Sequence, residues 1–337
     1  MTKKVKEIIK YLVFLLLGFF LLWLSFRKLD LAEVWTDIRQ ANYFWLFLAL
    51  ISAVIAHVFR ALRWNLLIGS LGYKTRLSTT FYAVMVGYMA NTAVPRMGEV
   101  MRCGVLSRKE KVPFNILFGS VISERIFDLA VLALLLLSVI VFQWDIAGGL
   151  ITDLTQPLFT SIENNARIIV VIMVVLLLSL VASVVLVYVF KSHIKSIPGY
   201  TKTREMISDL LNGIKTIMHI RTKWLFGLYT LLIWFFYALM VYLPFYMLAE
   251  TTGLDFIAAL TFTAIGSLGI VAPVPGGIGA YHFIGKAVLV EVYAISGAAA
   301  GSFVAITHAG QTLLNVILGG ISYFLLSLNN RNKEDHG

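Results

Sequence analysis

The stretch Val271-Ala272-Pro273-Val274-Pro275-Gly276-Gly277-Ile278-Gly279-Ala280-Tyr281-His282 interrupts an otherwise apolar run from Phe256 to Val292. Two prolines and three glycines in positions 273–279 cannot continue a regular helix. Proline removes a backbone donor and clashes with the preceding turn, and glycine loosens the backbone. Irregular backbone is tolerated inside a membrane only where it is buried in protein or lines a cavity. If the surrounding run lies in a bilayer, this loop marks a polar or water-filled interior.

The rest of the chain places the run in a bilayer. Of the 337 residues, 59% are hydrophobic and 14% charged, against about 45–50% and about 25% in soluble domains. That balance excludes a soluble enzyme, a disordered chain and a secreted disulfide scaffold. Further apolar stretches run from Tyr11 to Phe26, Phe44 to Phe59, Leu77 to Val94, Phe114 to Phe142, Ile168 to Phe190, Trp224 to Ala249 and Ala298 to Leu328. All are expected to be helical, because lipid offers the backbone no hydrogen-bond partner. The first follows Lys3, Lys4, Lys6 and Lys10, lacks a small-residue cleavage site and meets Arg27-Lys28. It reads as a retained span with a cytoplasmic N-terminus, not a signal peptide. A single cysteine, Cys103, closes no intramolecular disulfide, and no Cys/His spacing suits zinc, so neither metal nor cofactor is expected.

Formal net charge is +10. The basic residues are divided among membrane-edge loops, which argues against nucleic acid and for anionic lipid headgroups. The N-terminus, Arg60 to Arg76, Arg96 to Lys111, Lys191 to Lys223 and the C-terminus read as cytoplasmic; Arg27 to Asn42 and Gln143 to Arg167 read as outer. Lys and Arg then divide twenty-two to four. Both flanks of Leu77 to Val94 fall inside, so that segment is expected to enter from the inner face and return. Phe256 to Val292 must do the same from the outer face. Lys191 to Lys223 spaces Met206, Leu210, Ile214 and Ile217 helically among seven basic residues, the pattern of an amphipathic helix on the inner leaflet.

The two breaks mirror each other. Ala93-Val94-Pro95 answers Pro273-Val274-Pro275, the Val-Pro pairs lying 180 residues apart, and the charge count orients them oppositely. The expected fold is an all-α polytopic membrane protein, one domain over 1–337. Inverted-topology repeats at approximately 11–142 and 168–328 each hold a Pro/Gly-broken re-entrant segment, with an outer loop over 143–167 between them. The competing reading is that proline and glycine merely kink ordinary spans.

In the first break Pro95 and Gly98 flank Arg96, whose planar guanidinium can take a phosphate in bidentate fashion beside freed N–H groups. Glu99 could pair with Arg96 or Arg102 when no ligand is present. In the next helix Glu124 and Asp128 are four apart and Arg125 is three from Asp128, so these costly charges form either a structural cluster or a ligand contact. His282 and Lys286 share a helix face after the second break and form a cationic pair suited to phosphate; for Lys286, snorkelling is the alternative. The expected headgroup-binding set is Arg96, Glu99, Arg102, Arg125, Pro275, Gly276, Gly277, Gly279, His282 and Lys286, with Glu124 and Asp128 for ion pairing or proton coupling. His308 and Gln311, one turn apart, read as interhelical hydrogen-bonding residues.

Three ordered motifs covering nearly the whole chain carry a family resemblance: Pro95-Arg96-x-Gly98-Glu99-x-x-Arg102, Glu124-Arg125-x-x-Asp128 and Pro273-x-Pro275-Gly276-Gly277-Ile278-Gly279. They resemble the lysylphosphatidylglycerol synthase transmembrane-region family, also called the flippase-like domain family, which includes the membrane half of the multiple peptide resistance factor. The resemblance implies a flippase-like transporter of an anionic phospholipid or polyprenyl-phosphate lipid in a bacterial or archaeal cytoplasmic membrane, with both termini inside. The family pattern places an acidic residue just after the glycine loop, where this chain has His282. Lipid aminoacylation belongs to a separate soluble domain of the family, so enzyme activity is not expected of this chain. Without a nucleotide-binding loop, transport would be passive or ion-coupled, Glu99, Glu124 and Asp128 being the available proton carriers. Two other readings stay open: a non-transporting partner in a lipid- or glycan-synthesis complex, and an intramembrane headgroup enzyme. Against the enzyme stands the lack of G-x-S-x-G, H-E-x-x-H or aspartate-rich motifs. A homo-oligomer also stays open.

Overall fold

The computed structural model describes residues 3–27, 29–143, 220, 222–271 and 274–334. Apart from residues at their edges, the loop over 143–167, the stretch Ile168 to Phe190 and the basic segment 191–223 lie outside the described residues. Among the described residues all regular structure is helical. The first half holds α1 (Lys3–Phe26), α2 (Leu31–Gln40), α3 (Tyr43–Ser70), α4 (Leu77–Ala93), α5 (Met97–Glu110) and α6 (Phe114–Phe142). The second holds α7 (Lys223–Tyr242), α8 (Phe256–Val271), α9 (Ala280–Ala287) and α10 (Gly297–Glu334).

Polarity is distributed as in a membrane bundle. Phe44, Phe47, Leu134, Leu137, Val141, Leu231 and Phe324 face outward, whereas Arg60, Arg63, Arg102, Glu124 and Thr230 are buried. Lipid tails are as apolar as leucine, so helices associate through close packing and polar contacts. The buried face of α3 is accordingly built from small residues in its first half, Ala49, Ser52, Ala53 and Ala56. Among the described residues three segments are long and apolar enough to cross a membrane: Tyr43–Ser70, Lys223–Met247 and Gly297–Leu328. In α6 the apolar run is interrupted by Glu124, Arg125 and Asp128.

The helices differ from the sequence reading at several points. The helix α3 does not stop at Phe59 but continues to Ser70, so Arg60 and Arg63 are interior helix residues, not loop charges. The stretch Leu77 to Val94 does not itself enter and return: Leu77–Ala93 is one continuous helix, and the chain turns back only in the expected loop Arg96 to Lys111, where Met97–Glu110 forms α5 and packs along α4. Here the Gly98 amide donates to Asn91 Oδ1 at 2.7 Å. A Cβ on Gly87 would lie 2.9 Å from the Gly98 carbonyl, so only glycine permits the two backbones to approach this closely. The expected outer loop Arg27 to Asn42 contains α2, capped by Asp30 Oδ1 on the Ala32 amide at 2.8 Å.

In chain order, helices starting at Tyr43, Leu77, Met97 and Phe114 are followed by helices starting at Lys223, Phe256, Ala280 and Gly297. Each of the hairpins α4/α5 and α8/α9 packs on itself around a break, and α4 packs on α10 as α8 packs on α6. The helices α3 and α7 run antiparallel: the Asn42 amide donates to the Met247 carbonyl at 3.0 Å, and Arg63 Nη1 donates to Thr230 Oγ1 at 3.1 Å.

Candidate functional site

Three helices, α3, α5 and α6, bring seven charges together. Glu124, fully buried on α6, accepts from Arg60 Nη1 at 3.0 Å and Arg63 Nη2 at 3.2 Å through Oε1, and from Arg102 Nη2 at 3.2 Å through Oε2. One turn on, Asp128 meets Arg60 Nη2 at 3.3 Å, Arg63 Nη2 at 2.7 Å and Arg125 Nη1 at 3.8 Å. Arg125 Nη2 also pairs with Glu99 Oε1 on α5 at 2.8 Å. Aromatic faces take further positive charge: Arg102 lies 4.7 Å from the Trp64 ring centroid and Arg63 5.6 Å from that of Phe226. Four guanidinium groups against three carboxylates leave this cluster one positive charge in excess. In a low-dielectric interior such an excess is costly and favours an anionic neighbour.

The cluster borders a narrow cleft beside the first break. Its walls include Arg60, Arg102, Arg125, Glu99, Tyr88 and Asn91, and it has room for no more than about one water molecule. The break turns on Arg96, which adopts a left-handed conformation with φ 61° immediately before α5. That conformation costs a non-glycine residue about 1–2 kcal/mol.

The second break packs against the end of α4. A Cβ on Gly276 would lie 3.6 Å from Thr92 Cα, so the backbones of the two breaks meet. Gly276, Gly277 and Gly279 have φ of 59°, 75° and 83°, and the His308 ring Nε2 lies 2.9 Å from the Gly276 carbonyl. His282 is buried with its ring centroid 4.7 Å from that of His308. His282 also lines an apolar groove with Phe19, Leu22, Trp23 and Phe26 of α1. Lys286 donates to the Ser25 carbonyl at 2.8 Å, at the C-terminal end of α1.

The sequence-expected residues thus divide into two groups. Arg102, Glu124, Arg125 and Asp128 join one ion-pair cluster, with Glu99 at its edge. Glu99 pairs with Arg125, not with Arg96 or Arg102, because α5 lies against α6 and turns its first turn toward that helix. Pro275, Gly276, Gly277, Gly279 and His282 gather at the second break against α1, α4 and α10. Arg96 is exposed at the first break. His308 bonds to a break carbonyl within the same half of the chain. Sequence reasoning missed Arg60 and Arg63, the two α3 cations on which Glu124 depends. Their signal is the spacing Arg60-x-x-Arg63 with apolar Ala61, Trp64, Leu66 and Leu67 continuing the helix beyond Phe59.

Chemically, this arrangement can bind an oxyanion through several guanidinium groups. Among the described residues no group of three or more His, Cys, Asp or Glu is placed to hold a metal ion. Comparison with known proteins agrees with the motifs. A profile of the family described as lysylphosphatidylglycerol synthase TM region matches residues 8–319. A protein of Methanocaldococcus jannaschii named as a UPF0104 membrane protein is 28% identical over 137 residues, which are 40% of this chain and 41% of that protein. The chain therefore aligns with less than half of that relative's length. No solved structure matches the chain. With the family profile matching residues 8–319 and three helices among the described residues long and apolar enough to cross a bilayer, the chain is a multi-pass membrane protein belonging to the lysylphosphatidylglycerol synthase TM region family.

Proposed function

We propose that this protein moves an anionic lipid, a phospholipid or a polyprenyl-phosphate carrier, between the leaflets of a bacterial or archaeal cytoplasmic membrane. The observation that carries this reading is the meeting of the two breaks, Gly276 against Thr92, beside an arginine-rich cluster. Irregular backbone at membrane depth marks a cavity or substrate path, and guanidinium groups suit phosphate. In this reading the two halves are inverted repeats and the hairpins α4/α5 and α8/α9 are re-entrant, from the inner and outer faces. The antiparallel packing of α3 on α7 and the matched element order support it. Arg96 and Arg125 receive the headgroup beside the junction, whose two sides open in turn.

Leaflet exchange of fluorescent phosphatidylglycerol in liposomes tests the reading. Wild-type protein should accelerate exchange over protein-free vesicles, and Arg96→Gly should reduce it by at least about tenfold. Glycine accepts the left-handed φ without strain, so the substitution removes the charge and keeps the turn. An absence of protein-dependent exchange, or an Arg96→Gly rate equal to wild type, would refute the reading.

Topology has its own test. With both termini cytoplasmic, a cysteine at Gly253 should react with a membrane-impermeant maleimide from outside, and one at Lys74 only after the inner face is opened. The reverse pattern would overturn the orientation.

A further inference from the structure

We infer that Glu99 is a built-in competitor for an oxyanion site formed by Arg125, Arg102 and Arg60, and that the ligand displacing it is a phosphate carried on a hydrocarbon chain. The inference rests on the transport reading above for its ligand class and adds how the site is held closed.

The carboxylates of the cluster are not equivalent. Glu124 is fully buried and takes three guanidinium groups on its two oxygens. Glu99 takes one, through Oε1; its other oxygen, Oε2, is buried without a hydrogen-bond partner. The Arg125 and Glu99 side chains are 40% and 23% exposed, so this pair stands where the cluster meets the outside. Arg60 and Arg102, only 4% and 3% exposed, line the cleft behind it. Each of the three arginines retains a buried Nε–H donor without a partner. A phosphate offers more acceptor oxygens than Glu99 supplies and can engage a guanidinium through two parallel bonds. Taking that position requires the Glu99 carboxylate to leave Arg125. Glu99 lies in the first turn of α5, three residues after Arg96, so its release acts directly on the helix that leaves the break.

The mouth of the site indicates what the phosphate is attached to. Val100 follows Glu99 on α5, and Ile126 and Leu129 follow Arg125 on α6, Leu129 one turn on and on the same face; all three are exposed apolar side chains. An inorganic ion gains nothing from these side chains, whereas a lipid phosphate keeps its hydrocarbon against them.

The test uses the full chain in neutral maltoside detergent, titrated with dioctanoyl phosphatidylglycerol, inorganic phosphate or dioctanoylglycerol, with binding read by thermophoresis. Phosphatidylglycerol should bind wild type at least about tenfold more tightly than either other ligand. Glu99→Gln should bind it about tenfold more tightly than wild type, and Arg125→Gln about tenfold or more weakly. A purely structural ion pair predicts losses in both variants. Ligand-free melting curves establish that each variant folds, and Glu99→Ala carries the same expectation should Glu99→Gln not fold. Unchanged or weaker binding by the Glu99 variants overturns the competitor role. Equal binding of inorganic phosphate overturns the hydrocarbon assignment. Because binding is read apart from leaflet exchange, loss of exchange with the binding pattern intact counts against transport alone.

Discussion

Replacing Glu124 with alanine is expected to cost about 3–5 kcal/mol, the range seen when one partner of a buried ion pair is removed, and to leave little folded protein after detergent extraction. Three guanidinium groups converge on this one carboxylate, which has no exposure to water. Removing it leaves Asp128 and Glu99 to face four cations, raising the local excess from one positive charge to two. Glu124→Gln keeps the shape and one acceptor oxygen but not the charge, and should fall between alanine and wild type. Glu99→Gln breaks a half-exposed pair of the same chemistry and should cost no more than about 1 kcal/mol. Thermal unfolding followed by size-exclusion chromatography ranks the three. Equal stability of Glu124→Ala and Glu99→Gln would show that the buried cluster does not hold α3, α5 and α6 together.

The second large effect is expected at Gly279. Its φ of 83° and ψ of −57° lie where L-residues are strained, costing about 1–3 kcal/mol for alanine. The added methyl would also run into the Gly18 carbonyl and come within 2.9 Å of the Leu22 amide on α1. Both obstacles are backbone, so relief requires α1 to shift as a body, which overpacking costs of about 1–3 kcal/mol describe. Gly279→Ala should therefore lose several kcal/mol and detach α1 from the second break, read as faster proteolysis and a lower melting temperature. Gly320 is the control: it lies in α10, where an added methyl would meet nothing within 4 Å, and Gly320→Ala should be neutral or slightly stabilising. Equal behaviour of the two alanine variants would refute the close α1 contact.

Much of the architecture was legible because bilayer chemistry acts on composition and on local backbone. The runs Tyr11 to Phe26, Trp224 to Ala249 and Ala298 to Leu328 announce helices, and Pro95 and Pro273 to Gly279 announce the breaks. What misled was the rule that an apolar run ends at its first charges. It cut α3 at Phe59 and put Arg60 and Arg63 in a loop. It also read α5 as a loop, since Glu99, Arg102, Arg108, Lys109 and Glu110 make it polar. Those charges are tolerated because α6 answers Arg102 from inside the bundle, while Lys109 reaches the Leu326 carbonyl on α10. The sequence likewise offered Lys286 as a ligand-facing cation without revealing that its ammonium holds the last turn of α1, a position where the helix dipole favours positive charge.

By itself the sequence determined that this is a multi-pass helical membrane protein, where its two helices break, and which few ionisable residues stand in apolar surroundings. Those properties follow from hydropathy and from the backbone limits of proline and glycine, which act within a few residues. Only the tertiary structure decided which charges pair. Arg60 and Glu124 are 64 residues apart, and Glu99 had Arg96 and Arg102 within one helical turn yet joined Arg125. A carboxylate in a low-dielectric interior takes the guanidinium that packing presents to it, and no local spacing rule specifies which helix that will be.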